Sequence, residues 1–291
     1  MTEAMNGIIV LDKPAGKTSH DMVYFMRRLT GIKKIGHTGT LDPDATGVLP
    51  ICIGSATKAA DMMTLSDKRY RAKFVLGKTT DTQDISGRVL SECEVNCTDE
   101  EIRKSVMSFV GEYDQLPPMY SAIKQNGKKL YELAREGKTA ERETRRVNIK
   151  EIKILTLGIE TEIEVLCSKG TYIRTLCEDI GNKLGVGACM TRLRRLQTGY
   201  FTENDSYTCD DLLKLQDEGR LTDALISVDK LFSDYEKIKL TPNQTRSVKN
   251  GVIMTYHKPD GFYRVYDNED RFICVGKIAG EKIKVHKSFW T

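Results

Sequence analysis

The sequence predicts an α+β fold, and three observations carry the prediction. Residues 69–76 alternate, with Tyr70, Ala72, Phe74 and Leu76 on one side and Arg69, Arg71 and Lys73 on the other. That is the period of a half-buried strand. Towards the C-terminus, apolar segments are joined by short polar turns such as Asp267-Asn268-Glu269-Asp270, the pattern of hairpins. Helical segments fall irregularly among the strands instead of after each one, which argues against a doubly wound parallel sheet.

Taken in order, 7–11 is a short apolar run before Lys13-Pro14 and reads as a buried strand. Ser19 is placed to cap a helix to about Leu29, with Val23, Met26 and Leu29 on one face and Gly31 as the stop. Residues 36–47 are a loop rich in Gly and Thr, and 48–53 is the next strand. Thr98 and Glu101 form a capping box opening a helix to about Val110. A short helix is expected over 128–136, stopped by Gly137, then strands at 147–157 and 162–167 and a helix over 171–184. Short helices fill 209–231. A separate small unit is expected from Asp229, with a helix near 242–249 and strands at 262–266, 271–278 and 282–286. The expected division is 1–228 and 229–291.

Composition narrows the function. Of 291 residues, 40% are apolar, enough for a proper core, and 30% are charged. No apolar run approaches the ~20 residues of a membrane span. Residues 1–6 lack the basic stretch and apolar run of a secretory signal, so a cytoplasmic protein is expected. The eight cysteines include no C-x-x-C pair and the four histidines are scattered, so neither a zinc site nor a disulfide framework is expected. G-K-T occurs at Gly16, Gly77 and Gly137, but Leu11, Ala72 and Glu132 stand where a phosphate-binding loop needs its first glycine. H-E-x-x-H and G-x-S-x-G are also missing.

Net charge is only +4, but it is unevenly spread. Residues 120–150 hold nine basic side chains against four acidic ones, a local excess of +5. Arg192, Arg194 and Arg195 form a second basic cluster. Both patterns suit a phosphate backbone, with a solvated charged face as the bland alternative.

The informative segment is Gly36-His37-Thr38-Gly39-Thr40-Leu41-Asp42-Pro43-Asp44-Ala45-Thr46-Gly47-Val48-Leu49. A lone Asp-Pro in a glycine-rich loop is usually just a turn. At this length the segment resembles the catalytic motif of the TruB family of tRNA pseudouridine synthases, G-H-T-G-x-L-D-P-x-A-x-G-V-L. Further motifs of that family are matched in order by Leu11-Asp12-Lys13-Pro14, by Lys68-Arg69-Tyr70, by 115–124, by Gly170-Thr171-Tyr172-Ile173-Arg174-Thr175, and by Leu193-Arg194-Arg195 with Gly199 and Phe201. The resemblance runs from about Gly7 to Phe201, and the last unit looks like a small PUA-like domain.

The resemblance implies a pseudouridine-synthase fold, with a mixed, mainly antiparallel sheet, flanking helices and an RNA-gripping thumb near 120–147. It implies isomerisation of uridine to pseudouridine in the T loop of tRNA (position 55 in standard tRNA numbering). That reaction breaks the N1–C1′ bond, turns the base and rejoins it through C5, with no redox change, so no metal, nucleotide or other cofactor is expected. Asp42 takes the role of essential carboxylate, adding to sugar or base or stabilising an electron-poor sugar carbon. Arg174 is expected to hold Asp42 in its planar fork. Tyr70 is expected to stack on the target base, and Tyr172 to form a second aromatic wall and move a proton. His37 is expected to enter the RNA loop, Leu193 to line the pocket and Lys13 to contact it. Lys124, Lys128, Lys129, Arg142 and Arg145 are expected to meet phosphates. The partner is the T arm of tRNA, bound by a monomer. Two rivals remain at this point: a non-catalytic RNA-binding protein on the same scaffold, and a nucleotide hydrolase.

Overall fold

The computed structural model describes residues 5–125 and 127–290. Residues 1–4 of the N-terminal segment, and Asn126 within the expected thumb, lie outside the described residues. The strands are β1 (Gly7–Lys13), β2 (Ile35–His37), β3 (Thr46–Ile53), β4 (Lys68–Leu76), β5 (Lys78–Thr80), β6 (Val89–Glu92) and β7 (Gly111–Gln115). There follow β8 (Lys124–Gln125), β9 (Lys128–Lys129), β10 (Arg145–Thr156), β11 (Glu160–Cys167), β12 (Ala188–Thr198), β13 (Phe201–Thr202) and β14 (Ser206–Tyr207). The C-terminal strands are β15 (Glu236–Lys239), β16 (Met254–Thr255), β17 (Gly261–Tyr266), β18 (Phe272–Ala279) and β19 (Lys282–Ser288). The helices are α1 (Ser19–Thr30), α2 (Ala60–Thr64), α3 (Asp99–Met107), α4 (Leu130–Arg135), α5 (Ile173–Lys183), α6 (Cys209–Asp217) and α7 (Pro242–Lys249).

A ten-stranded sheet forms the body, in the order β14-β1-β3-β12-β4-β11-β10-β7, with β13 on β12 and β2 on β3. Its pairings are antiparallel except β1 with β14 and β3 with β12. The sheet is therefore mixed and mainly antiparallel, and the fold is α+β. A second, five-stranded sheet is ordered β15-β17-β18-β19-β16.

The apolar run at β1 arises because both its faces are buried. Ile9 and Leu11 pack with Leu49 and Ile51 under Met22, Val23 and Met26 of α1. Ile8 and Val10 pack with Val48, Phe201, Phe232, Val275 and Phe289, so this cluster joins the first sheet to the second. β4 instead alternates. Ala72 and Phe74 lie in a core with Ile163, Val165, Leu176 and Ile180, while Arg69 and Arg71 pair with Glu151 and Glu164 at 2.7 Å and Lys73 pairs with Glu160. The basic face of this strand is thus neutralised by carboxylates of β10 and β11.

Several local expectations need correction. Thr18, not Ser19, caps α1, through a reciprocal box with Asp21. Only Leu130–Arg135 is helical in the segment expected as a longer helix, and Lys128 and Lys129 form a strand paired with β8. Part of the expected 36–47 loop is strand, because β2 pairs with β3 through Gly36 and His37. Among the second basic cluster, Arg195 is buried within β12 and Arg194 is tied to Asp12 and Glu203, leaving only Arg192 exposed.

Candidate active site

The site forms where the β2–β3 loop meets the start of α5. Asp42 lies on that loop, and the residues on either side of it are held from below. The Ser19 hydroxyl accepts from Leu41 N (2.8 Å) and donates to Leu41 O (3.2 Å). The Lys13 ammonium donates to Pro43 O (2.8 Å), Pro14 O (2.8 Å) and Lys17 O (2.6 Å). Lys13 is fully buried. Instead of facing the pocket, as its place in the sequence suggests, it has all three donors satisfied by backbone beneath the loop. Burial pushes its pKa down to about 8, with Asp44 and Asp42 pulling the other way.

Arg195, from β12, completes the support. Its guanidinium donates to Val48 O (2.7 Å) and Gly39 O (3.3 Å), gripping both ends of the loop. The loop returns to the sheet at Gly47, which has φ 103°; a Cβ there would stand 2.2 Å from the Arg195 carbonyl oxygen. Only glycine permits both that backbone and that approach.

Arg174 reaches Asp42 from the first turn of α5. Nε stands 2.9 Å from Oδ2, and Nη2 donates to Oδ1 at 3.3 Å, a two-point fork. Nη1 donates to Thr82 O (3.0 Å) and Nη2 also to Tyr120 O (2.9 Å). Arg174 is 5% exposed, whereas the Asp42 side chain keeps 38% of its surface open. Burial raises the Asp42 pKa and Arg174 draws it back down. The net direction is upward, with Asp84 adding to the rise, while the two-point cation favours the charged form and fixes the carboxylate's orientation.

Tyr70 and Tyr172 are both half-buried. Burial raises the pKa of each phenol, and the positive charge of Arg195 opposes this at Tyr70. Both tyrosines are therefore neutral at working pH. The Tyr172 peptide is clamped by Gln115, which accepts from its N–H (2.8 Å) and donates to its C=O (3.0 Å). Leu193, on β12, stands opposite Ala72 of β4, half-buried against the core. His37, at the end of β2, accepts from Gly39 N at 3.3 Å, and burial lowers its pKa.

In the 120–147 segment the cations differ in availability. Lys128 faces Glu136 at 3.6 Å and Arg146 pairs with Glu112 and Asp114. Among the described residues, Lys124, Lys129, Arg142 and Arg145 have no carboxylate partner; Arg142 donates to Pro117 O (2.8 Å) and Lys129 lies by the Tyr131 ring.

Asp84 joins the site without any motif to announce it. Its Oδ2 lies 3.9 Å from Arg174 Nη1, in a turn that also offers Thr82 O. Neighbouring Gln83 takes φ 65°, accepts from Thr175 (2.8 Å) and donates to Glu178. The polar run Thr79-Thr80-Asp81-Thr82-Gln83-Asp84 is the only sequence signal for it. Among the described residues, no group of three or more His, Cys, Asp or Glu is arranged to hold a metal.

The fold thus brings together an aspartate forked by an arginine on a braced loop, a second carboxylate at Asp84 and a neighbouring segment rich in Lys and Arg. A model of the TruB family pseudouridylate synthase N-terminal domain matches residues 27–173, and one of the tRNA pseudouridylate synthase B C-terminal domain matches 174–233. The chain is 45% identical to tRNA pseudouridine synthase B of Clostridium tetani, over 97% of this chain and 99% of that protein. It is 42% identical to the protein of that name from Clostridioides difficile, over 94% and 95%. A chain of a Cbf5-Nop10-Gar1 complex superposes with TM-score 0.73 at 26% identity, covering 98% of this chain and 85% of that one. A chain of an H/ACA RNP bound to a substrate RNA shares the fold, with TM-score 0.73 at 24% identity and the same coverage. The chain belongs to the TruB family of pseudouridylate synthases.

Proposed function

We propose that this chain isomerises uridine to pseudouridine at position 55, in the T loop of tRNA, with Asp42 as the essential carboxylate. The observation that carries the reading is the forked Asp42–Arg174 pair on a loop held at both neighbours of Asp42. The substrate base leaves its stack to meet Asp42. Tyr70 stacks on it, offsetting an unstacking cost of a few kcal/mol with about 1–3 kcal/mol per base. Tyr172 forms the second wall and moves a proton. The reaction is neutral in atoms: the N1–C1′ bond breaks, C1′ joins C5, and the C5 proton leaves as N1 regains one. Lys124, Lys128, Lys129, Arg142 and Arg145 grip phosphates, and His37 enters the RNA loop.

Residues 229–291 act as a PUA-like RNA-binding unit beside the catalytic 1–228. The protein works as a cytoplasmic monomer, and its eight cysteines are all free, as a reducing compartment favours. Among the described residues, no helix is long and apolar enough to cross a membrane. The test is incubation of the purified chain with an unmodified tRNA and a chelator, followed by mapping of pseudouridine. One modified site in the T loop is expected. No modification, or a strict need for added metal with the tRNA already folded, overturns the reading.

A further inference from the structure

One aromatic and basic face is unused by the site described above. It is the solvent side of α1. Tyr24 is 54% exposed, although it is the kind of residue that packing usually covers. Its ring meets His20 edge-on at 4.6 Å, and the Arg27 guanidinium lies over it at 5.6 Å. His20, Tyr24, Arg27 and Arg28 fall at helical spacing on one face, opposite buried Met22, Val23 and Met26. Arg27 is tied only by Nη2 to Ile35 O (3.4 Å), and its buried Nε has no hydrogen-bond partner. Residues 17–34 carry five Lys or Arg against one acidic residue, an excess of +4.

Helix α1, which carries this face, also touches the loop of the site: on its buried side, Ser19 in the first turn accepts from Leu41 N at 2.8 Å, next to Asp42. A single exposed aromatic needs no explanation. An exposed aromatic flanked by three cationic or imidazole side chains, on the helix that braces the Asp42 loop, combines a stacking surface with phosphate-binding charge.

We infer that the exposed face of α1, centred on Tyr24 and Arg28, is a second docking surface for the tRNA substrate. It takes an unstacked base on Tyr24 and backbone phosphate on Arg28. The inference rests on the tRNA-modifying activity proposed above.

The test measures binding of unmodified tRNA across a salt series. The proteins are wild type, Tyr24→Ala, Tyr24→Phe, Arg28→Ala, the Tyr24→Ala/Arg28→Ala double variant, and Lys104→Ala as a control at an exposed position of α3. Tyr24→Ala and Arg28→Ala each weaken binding by about five- to tenfold, while Tyr24→Phe retains it. The double variant flattens log K against log[salt] by about one unit, as expected when one phosphate keeps its counterion, and Lys104→Ala changes neither quantity. A double variant that is folded by circular dichroism yet binds with wild-type affinity and slope overturns the inference. So does an equal loss in Lys104→Ala. A wild-type protein that makes no pseudouridine defeats the proposed activity instead, and the modification assay shows that outcome separately.

Discussion

Replacing Arg174 by lysine keeps the charge and removes the fork. In the native site the guanidinium serves Asp42 twice, at 2.9 and 3.3 Å, together with Thr82 O and Tyr120 O at 3.0 and 2.9 Å. An ammonium on a shorter reach cannot meet acceptors on three sides. Two backbone carbonyls lose their donor in a place where Arg174 itself is 5% exposed; at ~1–2 kcal/mol each, the variant is about 2–4 kcal/mol less stable. Removing one charge-assisted hydrogen bond to Asp42, at ~1.5–3 kcal/mol, lowers the chemical rate by roughly 10- to 100-fold. The pH dependence carries the sharper signature. Burial raises the Asp42 pKa and Arg174 opposes it, so a weaker partner lets the pKa rise further. Activity requires the ionised form and is lost as pH falls through that pKa. The acid limb of the rate profile therefore moves to higher pH in Arg174→Lys. Single-turnover pseudouridine formation at saturating tRNA, followed from acidic to neutral pH, reads both effects. A folded variant with the wild-type rate and an unmoved acid limb would refute the reasoning.

Asp42→Asn keeps the side chain's shape and should abolish turnover while leaving tRNA affinity nearly intact; measurable turnover in a clean preparation contradicts its role. Changing Lys124, Lys129, Arg142 and Arg145, four cations of the 120–147 segment that have no carboxylate partner among the described residues, together to alanine should weaken tRNA binding. It should also flatten the salt dependence by up to about three units, at roughly 0.7–0.9 per neutralised phosphate; an unchanged slope leaves these cations as a solvated face. Gly47→Ala places a Cβ 2.2 Å from the Arg195 carbonyl oxygen at φ 103°. It should cost about 1–3 kcal/mol in strain and displace the Asp42 loop, seen as a lower melting temperature together with a lower single-turnover rate.

The sequence makes some of this architecture legible and hides the rest for identifiable reasons. The period-two pattern of β4 is visible because one face meets the core and the other meets glutamates across the sheet. The cap of α1 is ambiguous by one residue because Thr18 and Ser19 are both competent. The box with Asp21 selects Thr18 and frees Ser19 for Leu41. The short β8–β9 hairpin lies in a charged stretch whose periodicity carries no burial signal. Asp42 is accessible through a long motif. Asp84 is not, because it meets Arg174 only through the fold, from a distant turn of the chain. Lys13 and Arg195 read in the sequence as cations available to RNA. Nothing local reveals that their donors end on backbone carbonyls under the loop.

The aromatic cluster between the two sheets bears on how the molecule melts. Phe232 packs on Phe272 and Phe289 with ring centroids 5.9 and 5.8 Å away, and the same cluster covers Ile8, Val10 and Val48 on the back of the strands that carry the Asp42 loop. Lys58 adds a bond to the Trp290 carbonyl at 3.2 Å. Removing the C-terminal sheet would uncover these strands and strip Phe272, Val275 and Phe289 from the back of β1 and β3, so heat should disrupt both sheets in one cooperative transition. The C-terminal unit is thereby denied the independence of a detachable module: an exchange between relatives must carry its share of this aromatic interface along with it.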